Sequence, residues 1–400
     1  VTPEKKARQM VGVDITIILF CIAVALAMFG ESIYIVFIPN FFSESGIPVA
    51  EIGIFFTVFY VVNALISIPA GYMSDRMGRN IMIFSLFVLS VTIFSYSLAD
   101  TRGELLLLRA LHAAAHAFIF PISRAYVMDK STEENRGRAM AIYGVSFTVA
   151  GMLGPLIGGI MREQTGGFDL LFHAAAIFPL LAAVFLLVVV RDLGKGFTME
   201  KMKVPTRDLI INRPFTVLLA MFVVLYCVSS VMTIIVPLFA IEGLGVSYVF
   251  LGIVSMCVGI VLTISQFTVG TLSDRHGRKK LLIYPFIIYA AGIFLLGSSV
   301  NSSMFLGAYM LIGIGAAPYT TVAYSIIGDL VREEQWGTAS GAANSASNIG
   351  MIFGPLLASA LGGAVGLRMP LYLCSLLVVI TIAMLFIMLP PDNRRAAEFV

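Results

Sequence analysis

Charge is scarce in this 400-residue chain: 12% of residues are Asp, Glu, Lys or Arg and 59% are hydrophobic. Soluble domains carry about a quarter charged residues, so a soluble domain is excluded. Cysteine is nearly as sparse. Cys21, Cys227, Cys257 and Cys374 each fall inside an apolar run and none has metal-ligand spacing, so they read as small buried apolar residues rather than a disulfide framework or metal centre. The chain also lacks a Walker loop, a nucleophile beside a base and any His/Cys/Asp/Glu cluster, which argues against an enzyme and against a cofactor or metal. Strict alternation of apolar and polar residues is missing too, and without it a β-barrel is excluded.

What remains is apolar and continuous. About 20 such residues cross a bilayer as a helix, and twelve runs qualify: residues 13–39, 50–70, 81–99, 104–127, 138–161, 169–190, 214–240, 247–270, 281–299, 303–328, 338–361 and 369–390. They are called spans 1 to 12 below. The expected fold is an all-α polytopic membrane protein of twelve transmembrane helices in two pseudo-symmetric six-helix bundles. Of the 26 Lys and Arg, 21 lie on the side that holds both termini, and the opposite loops hold only Arg102, Arg162 and Arg368. The positive-inside rule then places both termini in the cytoplasm and the chain in the cell membrane. The net charge of +3 reflects this topology rather than nucleic-acid binding. The basic KKAR at the start reads as the cytoplasmic flank of span 1, with no cleavable signal evident.

The chain repeats itself. GYMSDRMGRNI (71–81) after span 2 recurs as GTLSDRHGRKK (270–280) after span 8, EENRG (133–137) as EEQWG (333–337), and Gly154-Pro155 as Gly354-Pro355. Residues 1–190 and 214–400 are therefore two six-helix bundles joined by a cytoplasmic linker, 191–213. Such repeats are a transporter signature, with a substrate site expected near the midplane between the halves.

Three features stand out within this frame. In the repeated loop, Gly71 and Gly78 permit a tight turn, while Asp75, Arg76 and Arg79 cluster charge at a helix end; Asp274, Arg275, Gly277 and Arg278 repeat the pattern. A carboxylate there can dock on a helix N-terminus of the other half, and an arginine can hold an acidic partner. Positive-inside charge with turn glycines is the plainer alternative. In span 5, Gly144, Gly151, Gly154, Gly158 and Gly159 strip side chains from the helix and Pro155 loosens it, for close packing of one kind or another. The second-half copy lacks the paired glycines, so the specialised contact is expected in the first half only.

The third feature is charge inside the membrane. Span 4 reads LLLLRALHAAAHAFIFP, with Arg109, His112 and His116 on one helical stripe. Span 1 carries Glu31, the one acidic residue well inside a span. At about 1.5 Å per residue, Glu31 and His112 both lie roughly 12 Å below the outer boundary and Arg109 roughly 8 Å. Glu31 is thus expected to meet Arg109 or His112. A charge at the bilayer centre costs upwards of ~2.5 kcal/mol, so such residues are paired or functional. A carboxylate whose proton affinity answers to a nearby arginine can couple proton movement to conformation, and histidines can relay protons or hold an acid. A static ion pair between spans 1 and 4 is the alternative, and for the histidines it is ordinary packing. Arg124, near the end of span 4, is explained by snorkelling. His173 and His276 receive no role.

The repeat makes spans 7 and 10 the counterparts of 1 and 4. Span 7 presents Tyr226, Ser229, Ser230 and Thr233, and span 10 Tyr309, Tyr319, Thr320 and Tyr324, without charge. Tyr34, Asn63, Tyr143, Gln266 and Asn344 are further cavity candidates, with interhelical hydrogen bonding as the alternative for each.

The motif GxxSDRxGR between spans 2 and 3, an arginine early in span 4 and GxxxGPxxGG in span 5 resemble the signatures of the major facilitator superfamily, in particular its twelve-helix drug/proton antiporters. The resemblance runs over essentially the whole chain. It implies alternating access about a cavity lined by spans 1, 4, 7 and 10. It also implies a latch in which Asp75 docks on span 11 and Arg79 pairs with Asp129, and a leak-suppressing contact along span 5. Arg109 takes the antiporter arginine position, whereas AAAHAF departs from the family's glycine-containing stretch, leaving His112 and His116 particular to this chain. The expected function is proton-coupled export of a small amphipathic or aromatic compound by a monomer, with the bilayer, protons and a small-molecule substrate as partners and no nucleic acid. An anionic-metabolite transporter using Arg109, His112 and His116, or a lipid or lysolipid translocator, are the alternatives.

Overall fold

A computed structural model describes residues 9–10, 12–77, 79–132, 134–189, 213–332 and 335–389. Among these, twelve helices are long and apolar enough to cross a membrane. In order they are Ile15–Ile35, Val49–Met77, Arg79–Ser95, Arg102–Lys130, Arg136–Thr165, Asp169–Val189, Arg213–Leu238, Tyr248–His276, Arg278–Gly297, Ser302–Leu330, Trp336–Val365 and Arg368–Met388. The only strands among the described residues are the two-residue pair Gln9–Met10 and Val13–Asp14. The linker 190–212 lies outside the described residues.

The helix ends differ from the apolar runs for physical reasons. Span 1 stops at Ile35, not at residue 39, and a short helix, Ile38–Glu44, follows. The ring of Pro39 would collide with the carbonyl four residues earlier, that of Ile35, which ends the first helix. Spans 2 and 8 run on through their polar motifs to Met77 and His276, because helical hydrogen bonding does not stop where apolarity does. Gly71 therefore lies inside span 2 rather than in a turn, which corrects the expectation for it. The break in the second copy falls at Gly277, with φ of 95°, a conformation open to glycine. Span 4 starts with a capping box: Thr101 accepts from the Glu104 amide while Glu104 accepts from the Thr101 amide.

The chain forms two compact units: residues 1–41, 58–200 and 247–256, and residues 42–57, 201–246 and 257–400. In the first, span 1 packs on spans 5 and 6, and span 3 on spans 4 and 6. In the second, span 7 packs on 11 and 12, and span 9 on 10 and 12. The repeat in the sequence is thus a repeat in packing. Large apolar side chains such as Phe267 and Ile387 stand 76% and 78% exposed, an apolar surface that a lipid solvent accommodates.

Glycine sets the closest approaches. A Cβ on Gly154 or Gly158 would collide with span 1 at Ser32 or at the Ile33 carbonyl. These two glycines therefore pack spans 1 and 5 within the first unit. Pro155 instead meets Gly252 at the start of span 8, and Pro355 meets Gly53 in span 2, each through the proline carbonyl. A proline carbonyl meets a glycine in both copies, while the paired Gly159 adds a contact with the Tyr248 backbone in the first copy, where the second has Ser359 accepting from the Gly53 amide. The glycine beneath each proline sits on the partner helix, where the span 5 motif gave no hint of it.

Candidate functional site

Gly30 brings span 1 against the Ala175 carbonyl of span 6, and the next residue, Glu31, turns towards span 4. Its carboxylate oxygens lie 3.4 Å from His112 Nε2 and 3.7 Å from His116 Nε2. The carboxylate is 12% exposed, His112 is fully buried and His116 is 19% exposed. One turn of helix 4 separates the two rings, so a single carboxylate spans both. The Tyr34 hydroxyl, one turn along span 1, stands 3.5 Å from His112 Nδ1. The same hydroxyl is 3.4 Å from Nε2, so it sits against the imidazole between its two nitrogens.

Arg109 is buried, with its guanidinium 4.6 Å from the centre of the Phe59 ring. Its charge acts on Glu31 and its side chain reaches Tyr96. Phe59 also contacts both imidazoles edge-on, at 5.1 and 5.5 Å. Asn63, one turn further along span 2, places Nδ2 at 3.2 Å from His116 Nδ1 and 3.4 Å from the Ala113 carbonyl. Tyr34, Tyr96 and Phe172 close the far side. With one carboxylate against one guanidinium the cluster is neutral when both imidazoles are neutral, the least costly state for buried charge. One added proton makes it a net cation in an apolar surround.

The structure distributes the other candidates as follows. Tyr143 is buried and hydrogen-bonds Ser123 at 2.8 Å. Ser230 is 1% exposed and faces the backbone of span 11 at Gly350, so it packs spans 7 and 11 rather than opening to a cavity. Thr233 bonds back to the Ser229 carbonyl, and Gln266 is half-buried. Tyr226 and Tyr319 meet edge to face at 5.6 Å, and Phe222 links Tyr226 to Tyr324, an aromatic surface in the second unit. Tyr324 and Trp336 line a pocket of about 290 Å³ between spans 10 and 11.

Of the motif residues, Gly78 and the side chains of Asp75, Arg76, Arg79, Asp274 and Arg275 lie outside what the structure describes. Asp129 is exposed. In the second copy, Arg278 pairs with Asp329 and also bonds the Ser325 carbonyl, at the repeat positions of the pair expected between Arg79 and Asp129. Phe59, Tyr96 and Phe172 were missed because aromatic residues on a membrane helix carry no individual signal. Glu163 was missed as well: its carboxylate accepts from the Tyr248 amide and so caps span 8.

Two packed copies of a six-helix unit, all of membrane length, with a carboxylate and a guanidinium held inside one of them, define a polytopic membrane transporter. The chain belongs to the Major Facilitator Superfamily, whose model matches residues 20–265 and 217–399. It is 24% identical over 394 residues to multidrug resistance protein 1 of Bacillus subtilis, covering 96% of this chain and 99% of that one. It is 23% identical to the multi-drug resistance efflux pump PmrA homolog of Lactococcus lactis, over 89% and 90% of the two chains. A bacterial homolog of the human lysosomal transporter Spinster shares its fold, with a TM-score of 0.79 at 17% identity over 97% of both chains.

Proposed function

We propose that this transporter exports small amphipathic or aromatic compounds in exchange for protons, with Glu31 as the protonation site and Arg109 as the charge that tunes it. The observation that carries the reading is the Glu31 carboxylate placed between two imidazoles inside the spans, within the field of a buried arginine. A proton arriving there changes the cluster from neutral to cationic, and any motion that changes the distance to Arg109 changes how well that proton is held. The multidrug resistance and efflux names of the relatives support the direction and the substrate class. The aromatic face of Tyr226, Tyr319 and Tyr324 suits an apolar or aromatic solute. The reading includes two bundles, 1–190 and 214–400, rocking about the cavity as a monomer, with both termini in the cytoplasm.

Proteoliposomes with an imposed pH gradient test this. Export of a fluorescent aromatic compound should follow the gradient in the wild type and lose its gradient dependence in Glu31→Gln. Exchange of an anion that ignores the gradient, survives Glu31→Gln and fails in Arg109→Ala would replace this reading with an anion transporter.

A further inference from the structure

We propose that Asn63 is a positioning residue that holds His116 as the neutral tautomer protonated on Nε2, so that the N–H side of the imidazole faces the Glu31 carboxylate. A consequence, which rests on the proton-coupling reading above, is that the exchangeable proton is taken up by the carboxylate and not by His116.

Asn63 Nδ2 lies 3.4 Å from the Ala113 carbonyl oxygen. A backbone carbonyl only accepts, so the end of the Asn63 amide that faces it is the NH2 group and not the oxygen. The same NH2 lies 3.2 Å from His116 Nδ1. Its two hydrogens serve two acceptors, the carbonyl and the ring nitrogen, and Nδ1 must therefore present its lone pair. The ring proton is then on Nε2, the nitrogen facing Glu31 Oε2 at 3.7 Å.

An imidazolium does not fit this arrangement. It would turn an N–H at Nδ1 towards the NH2 of Asn63, setting two donors face to face. The groups around the ring are Glu31 from span 1, Phe59 and Asn63 from span 2, and Arg109, His112 and Phe120 from span 4 itself. Glu31 is the one anion among them, and Arg109 already balances it. A second cation would have no partner. Because Asn63 is on span 2 while its two acceptors are on span 4, the tautomer is tied to the contact between these helices.

Nitrogen-15 NMR of the full-length protein in nanodiscs, with labelled histidine, tests the proposal. The chain has four histidines, and His116→Gln assigns the resonance. In the wild type His116 should show a pyridine-type Nδ1 and a protonated Nε2 across the pH range of transport. In Asn63→Asp, which offers Nδ1 only acceptors, the pyridine-type signal should be lost to a doubly protonated ring; in Asn63→Leu the two tautomers should mix. A wild-type His116 protonated on Nδ1, or doubly protonated, overturns the proposal whatever the Asn63 variants do. So does an unchanged spectrum in Asn63→Asp. The tautomer is read without a gradient or a substrate, so its failure is distinct from failure of the flux assay for Glu31.

Discussion

Gly158→Ala and Gly151→Ala are the same chemical change on the same helix, and the structure sets their effects apart. At Gly151 nothing lies within 4 Å of an added methyl. At Gly158 the methyl would overlap the Ile33 carbonyl of span 1 and come to 3.0 Å from a Phe37 ring carbon. Both variants share whatever alanine gains over glycine in a helix, up to about 1 kcal/mol. The difference between them is then the overpacking alone, about 1–3 kcal/mol. Carbon contacts relax at about 3.5–4.0 Å, so span 1 must move by on the order of 1 Å. Ile33 is two residues from Glu31, so the carboxylate shifts with it relative to His112 and His116. Thermal unfolding of the two purified variants in one detergent should therefore give a midpoint several degrees lower for Gly158→Ala. Gradient-driven export should fall in that variant and persist in Gly151→Ala. Equal midpoints and equal export would refute the claim that this glycine seats Glu31.

Two further outcomes follow from contacts elsewhere. The Arg162 guanidinium lies 4.6 Å from the ring centres of both Phe168 and Tyr248; Arg162→Lys loses the planar stack and should destabilise the protein by about 1 kcal/mol, read as a lowered unfolding midpoint. A Cβ on Gly363 would lie 2.6 Å from that of Ala50, too close for two non-bonded carbons, so Gly363→Ala should overpack spans 2 and 11 by about 1–3 kcal/mol and lower the unfolding midpoint. An unchanged midpoint would contradict the close approach of spans 2 and 11.

Parts of the site were legible before any coordinates because helical rise converts position along a membrane span into depth. Glu31 and His112 reckon to the same level, and their side chains do meet. Helical spacing likewise put Arg109, His112 and His116 on one stripe, and all three face the same cluster. Depth gives no azimuth, however. It could not say that Glu31 would reach both histidines, nor that Asn63 of span 2 would stand behind His116. Ser230 shows the converse: its spacing matched a cavity face, yet the rotation of span 7 turns it onto span 11, because Gly350 and Gly354 let the two backbones close around it.

The membrane, the twelve spans, the repeat and the family were all carried by the order of residues, since hydropathy and motif spacing are properties of one helix at a time. The tertiary structure alone decided which helices touch and with which faces. Those choices depend on small residues far apart in the chain, Gly158 beneath Ile33, Gly252 beneath Pro155 and Gly53 beneath Pro355. Where a Cβ is missing two backbones can approach within contact, and that approach rotates each helix. The same rotation decides whether a polar side chain ends among charges, as Glu31 does, or against a neighbouring backbone, as Ser230 does.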